Sequence, residues 1–177
     1  MDEVTFAIRI LLVVVFTSAV LGKLGSRSAV ADLGRLLDEL PAQPGRIRTW
    51  SAPGLIAAES AVVGLLLLPG TARAGYAVAA VLLVAFTAGV SWLVRRGSTA
   101  SCRCFGGSGQ RLGRRHVVRN GLLAALAIGA LATGTTALPA SPAALLAGAA
   151  GALLGLLTTR WDDLAALATP ASGRGRA

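Results

Sequence analysis

Five stretches of almost uninterrupted apolar residues, roughly 4–24, 53–68, 74–94, 117–137 and 143–159, limit what this chain can become. A helix needs about 20 mostly apolar residues to cross a bilayer core, and the runs meet or approach that length. Only 14% of the residues are charged, where a soluble domain carries about a quarter. The pattern predicts an all-α integral membrane protein. Its expected core is a four-helix transmembrane bundle over 4–137, followed by a fifth C-terminal transmembrane helix at 143–159. The Gly/Ala/Arg-rich end, 170–177, reads as a disordered tail.

The first run opens on Asp2 and Glu3 and is followed by no small-x-small cleavage site, so it reads as a retained span rather than a removed leader. The fifth run is short and also fits a re-entrant segment. Between the first two runs, Val30, Leu33, Leu37 and Leu40 recur at helical spacing with charged residues between them. This predicts a short amphipathic helix on the membrane surface, and an ordinary loop helix packed on the bundle fits equally. Gly121, Ala125 and Gly129 recur every four residues in the fourth run, as do Ala143, Ala147, Gly151 and Gly155 in the fifth. Small residues at that spacing let helix backbones approach closely, so these two spans are expected to pair as antiparallel neighbours.

The charge falls on one side. With five spans, the first and third connections and the C-terminal tail share a face, and all Lys and Arg residues except Arg9 and Arg73 lie on it or at its span ends. Trp50, Trp92 and Trp161 sit at span ends there, as interfacial anchors do. The net charge of +9 would point to nucleic acid in a soluble protein. Here it marks a bilayer face, and with few aromatic residues no stacking platform for nucleic acid appears. The positive-inside rule makes this face cytoplasmic.

Polar residues inside spans are costly and need a reason. Lys23 lies in the last turn of the first span, Glu59 about 9 Å inside the second at 1.5 Å per residue, and Arg119 and Asn120 in the first turn of the fourth. Lys23 and Arg119 can snorkel to head groups, and Asn120 can bond a neighbouring helix. Glu59 is too deep for that. It is expected to be protonated or to pair with Lys23 or Arg119. His116, close by, is a candidate proton shuttle or an idle interfacial residue.

Both cysteines of the chain, Cys102 and Cys104, lie in the connection that leads into this fourth span, in "SCRCFGG". Two thiols cannot complete a four-ligand zinc site, and the chain has one histidine, so no metal is expected. A dithiol/disulfide couple fits better. With one residue between the sulfurs the ring is small and strained, which makes a disulfide labile. Arg103 between them favours the reactive thiolate, the following glycines, beginning with Gly106, let the backbone move, and Phe105 would pin the segment to the bundle. Two unrelated interfacial thiols remain the alternative.

"CRCFGG", together with the Arg-Asn of "VVRNGLL", "SAVLGKL" closing the first span and the glutamate of "AAESAVVGLLLLPG", resembles the methylamine utilisation protein MauE family over roughly residues 5–135. The family is similar in layout to DoxX-like membrane proteins, and its helix order and cysteine position are similar to vitamin K epoxide reductase. The resemblance implies a redox-associated, multi-pass protein of the cell membrane that supports maturation of the disulfide-rich small subunit of methylamine dehydrogenase. It implies Cys102, Cys104, Phe105 and Gly106 as the redox segment, with Lys23, Glu59, Arg119 and Asn120 as supporting positions.

Two functions follow as expectations. One is a thiol–disulfide oxidoreductase or relay that exchanges with a thioredoxin-like protein or a disulfide-containing client; because no second cysteine pair exists, a further acceptor such as a quinone completes its cycle. The other is a non-catalytic assembly factor or scaffold. A transporter would place its polar site at the midplane, which does not match polar groups near one face. The charge rule sets the dithiol in the reducing cytoplasm, where disulfides do not persist, whereas service to exported clients sets it outside.

Overall fold

The computed structural model describes residues 2–25, 45–68, 70–96, 114–133 and 141–160, with the backbone alone for 45–52. They form five helices: α1 (Asp2–Leu24), α2 (Gly45–Leu67), α3 (Ala72–Arg95), α4 (Arg114–Thr133) and α5 (Pro142–Thr159). All except α2 are long and apolar enough to cross a membrane along their whole length, and α2 carries a shorter apolar segment, Pro53–Leu67. This is a helical membrane bundle, as the apolar runs predict. The expected interfacial helix at 28–40, the segment Cys102–Gly106 and the tail 170–177 lie outside the described residues.

Contacts between the ends of the helices fix their directions. Lys23 meets Glu59 and Arg9 meets the end of α2, so α1 and α2 are antiparallel. Tyr76, early in α3, donates to the Thr5 carbonyl at 3.1 Å, and Thr133, closing α4, lies 3.3 Å from Thr5, hydroxyl to hydroxyl. The C-terminal end of α1 therefore shares a face with the start of α2, the end of α3, the start of α4 and the end of α5. That is the basic face. On it Arg96 stacks over the Trp92 ring, 4.2 Å from the centroid, a cation–π contact suited to an interfacial anchor.

The core is built by four helices. Leu12, Val15 and Phe16 of α1, Val62 and Leu66 of α2, Tyr76, Ala79 and Leu83 of α3, and Leu123 and Ala127 of α4 form one buried cluster. No residue of α5 belongs to it. Leu145, Leu146, Leu153, Leu156 and Leu157 of α5 point outward, where lipid is as good a solvent as protein.

The helix α2 begins eight residues ahead of the expected span and carries Pro53 within it. The apolar run alone sets where lipid begins, while the helix continues into the interface through "GRIRTWSA". At its other end the terminal carbonyls have no intrahelical partners and take others. The Thr71 hydroxyl donates to the Leu65 carbonyl at 2.7 Å. The buried Arg9 guanidinium donates to the carbonyls of Leu66 and Leu68. Gly70 supplies the positive φ, +81°, that turns the chain into α3, a conformation that favours glycine.

The small residues of the fourth and fifth runs behave differently from expectation. The two helices are antiparallel, but they hardly touch. The α5 stripe packs on α1 instead. A Cβ on Gly151 would sit inside the contact distance of the Ala7 carbonyl oxygen, and one on Gly155 would lie 2.9 Å from Val14 Cβ. The order of these contacts makes α5 run parallel to α1 from the level of Phe6 past that of Leu11. Thr158 lies beside Arg119 of the basic face. The helix thus runs along the length of the bundle. Side chains added at Gly121 or Gly129 of α4 would meet nothing within 4 Å, because that stripe is not a packed seam.

Replacing Gly151 with leucine should therefore lower the melting temperature of the detergent-solubilised protein sharply, since neither backbone can yield. Gly129→Ala should leave it within about a degree or raise it slightly, through better helix propensity. Thermal unfolding followed by circular dichroism compares the two. Arg9→Met should cost about 2–3 kcal/mol by orphaning the α2 carbonyls, visible in the same assay.

Candidate functional site

The first turn and a half of α4, the middle of α2 and the last turn of α1 bring polar side chains to the basic end of the bundle. The Lys23 ammonium donates to both carboxylate oxygens of Glu59, each at 2.8 Å. Lys23 is 2% exposed and Glu59 6%, so the pair is shielded from water and lipid. Of the two partners the sequence offered Glu59, the structure selects Lys23. The lysine does not snorkel outward. Residues 9 and 23 are about 21 Å apart along α1 and Glu59 and Leu66 about 10 Å apart along α2. The long side chains of Arg9 and Lys23 therefore reach inward, toward each other along the bundle axis, to meet α2.

This geometry settles the charge problem of a carboxylate within an apolar helix. An isolated ion in such a place is expensive, and a closely paired one with both oxygens hydrogen-bonded is not. It also explains why a lysine sits in the last turn of α1: its stem spans the distance that a shorter side chain would not.

Asn120 is fully buried, and neither atom of its amide has a hydrogen-bond partner among the described residues. A buried amide left without partners costs about 1–3 kcal/mol. Arg119, its neighbour, reaches the Thr158 carbonyl of α5 at 3.4 Å. His116 is half-buried in the first turn of α4.

Cys102, Arg103, Cys104, Phe105 and Gly106 lie outside the described residues. The connection that carries them joins the end of α3 to the start of α4, and both helix ends are on the basic face. Among the described residues no three His, Cys, Asp or Glu side chains gather in a way that would hold a metal ion. Sequence reasoning overlooked the opposite end. Arg9, Thr5, Tyr76 and Thr133 build a hydrogen-bonded closure there, and the one available signal was an arginine about a turn and a half inside an apolar run.

The comparisons with known proteins agree with this layout. The family model described as methylamine utilisation protein MauE matches residues 1–133. The chain belongs to the MauE family. Over 154 residues it is 39% identical to the methylamine utilization protein MauE of Paracoccus denitrificans, covering 86% of this chain and 80% of that one. No solved structure matches. The family-model match ends with α4, whereas the alignment with the Paracoccus protein covers 86% of this chain and so runs into α5.

Removing one member of the buried pair should strand the other. Lys23→Met and Glu59→Leu should each destabilise this MauE-family protein by about 3–5 kcal/mol, and the double variant should recover most of the loss. A double-mutant cycle on thermal or denaturant unfolding in detergent reads this coupling. Two independent losses that simply add would mean that the contact carries no coupling energy.

Proposed function

We propose that this multi-pass membrane protein is a thiol–disulfide redox protein that relays electrons or disulfides through Cys102 and Cys104 and supports the maturation of partner proteins. The observation that supports the reading is the set of polar groups at the basic end. A buried ion pair, and a buried amide without hydrogen-bond partners among the described residues, lie at the end of the bundle where the cysteine connection is attached. Membership of the MauE family agrees with it and points to methylamine dehydrogenase-type maturation as the process served, in the cell membrane.

In the proposed step a thiolate of a thioredoxin-like protein or client attacks one sulfur of a Cys102–Cys104 disulfide. That bond breaks, a mixed disulfide forms and the other cysteine leaves as a thiolate. The partner's second thiol, losing its proton, resolves the mixed disulfide. The partner is oxidised by two electrons and the Cys102–Cys104 pair is reduced by two electrons, taking up two protons. Arg103 beside the sulfurs stabilises the thiolate, and the Asn120 amide is available to hydrogen-bond a group brought in by the same connection. Re-oxidation needs a two-electron, two-proton acceptor. A quinone is such an acceptor, and an apolar cleft of about 420 Å³ between α3 and α4, lined by Val84, Thr87, Ala88, Gly121, Ala125 and Ile128, suits its ring.

The alternative is a scaffold in which Lys23 and Glu59 serve packing alone. Single Cys102→Ser and Cys104→Ser variants should separate the two: one of them should retain a partner through a mixed disulfide on a non-reducing gel. The double variant should reduce client oxidation at least tenfold. Unchanged client maturation in the double variant would favour the scaffold. Labelling of Cys102 and Cys104 with a membrane-impermeant thiol reagent should increase after reduction. Labelling of intact cells would put the dithiol outside; labelling only after permeabilisation would agree with the charge rule.

A further inference from the structure

The α4 and α5 helices flank α1 and hardly touch each other, and the space between them is a groove of about 490 Å³. Leu11 and Leu123 form its floor, and Val118, Leu122, Leu126 and Leu154 its walls. Three arginines, Arg114, Arg115 and Arg119, line the end at the basic face, and among the described residues no acidic side chain lines the groove. We propose that it binds one anionic phospholipid, with an acyl chain against the leucines and the phosphate on the arginines. This assignment is independent of the redox reading.

Two observations favour this occupant. First, the groove has two chemistries in the order that a lipid has them. Arg114 and Leu126 are about 18 Å apart along α4, close to the ~15 Å hydrocarbon depth of one leaflet. An acyl chain anchored at the arginines thus ends near the bottom of the groove. Second, the charge is complementary and local. The arginines stand in the first turn and a half of α4, whose N-terminus adds positive potential of its own, and guanidinium groups match phosphate oxygens in bidentate fashion. The Arg119 guanidinium reaches across toward α5, to the Thr158 carbonyl, so it stands at the groove's mouth.

The groove also has an open side. Val118, Leu122 and Leu154 are more than half exposed, so a lipid enters laterally from the bilayer without any helix moving.

The test uses the full chain in a neutral detergent, titrated with phosphatidylglycerol, with phosphatidylcholine of the same acyl chains and with glycerol phosphate, and read by native mass spectrometry. Phosphatidylglycerol should form a one-to-one adduct at concentrations at least tenfold below phosphatidylcholine, and glycerol phosphate should neither bind nor compete. Arg114→Gln and Arg115→Gln should each weaken the phosphatidylglycerol adduct about fivefold and leave phosphatidylcholine unchanged. Leu122→Trp and Leu154→Trp, which fill the groove and keep every arginine, should abolish the one-to-one adduct. Both positions face lipid, and circular dichroism verifies that the variants remain helical. Equal binding of the two lipids would overturn the proposal. Competition by glycerol phosphate would overturn it in favour of a free-phosphate site. Full lipid preference in the tryptophan variants would reduce it to surface attraction, and a dimer that phosphatidylglycerol does not dissociate would assign the groove to a second copy.

Discussion

The contact on which the bundle's architecture turns is the ion pair between Lys23 and Glu59. A carboxylate in the middle of an apolar helix either carries a proton or carries a partner, and here both oxygens are occupied by one ammonium at 2.8 Å. The pair is fully desolvated, so its geometry cannot relax cheaply. It fixes the level of α2 against α1 at the basic end, as Arg9 does at the other end by holding the α2 carbonyls. Two polar ties on one helix pair set the register that nondirectional apolar contact leaves free.

Around that pair the remaining helices are held by different means. The α3 and α4 helices complete a leucine- and alanine-rich core with α1 and α2. The fifth helix is attached without a core, by backbone proximity at Gly151 and Gly155. In lipid there is no hydrophobic force between helices, so close packing of small residues is an adequate substitute. The consequence is an open angle between α4 and α5, since both lean on α1 and neither fills the space between. The apolar groove and its basic mouth follow from that arrangement.

Much of this was legible in the sequence, and the parts that were not have identifiable causes. The apolar runs gave the helices because length and hydropathy are local properties. Glu59 announced a partner because burial of a lone carboxylate is so unfavourable, and Lys23 was one of two candidates; only the side-chain reach along the bundle axis distinguished them. The pairing of α5 was misread because a small-residue stripe states that a backbone approaches closely but not which one. Two such stripes in adjacent runs suggested each other, whereas Gly151 found Ala7. Arg9 was passed over because its task, satisfying the carbonyls of Leu66 and Leu68, depends on where another helix ends. The cysteine segment, legible as a motif, lies outside the described residues, so its chemistry rests on proposal.

The two ends of the bundle differ in a way that bears on function. At the far end the polar groups are consumed: Arg9 holds the end of α2, Tyr76 donates to Thr5, and the Thr133 hydroxyl donates to the Ala130 carbonyl and lies against Thr5. Such an end is a structural closure. At the basic end the account does not close, because Asn120 keeps a buried amide without partners among the described residues. A buried amide without partners is costly in a low-dielectric bundle. The cost is consistent with work done at that end, where the only two thiols of the chain enter.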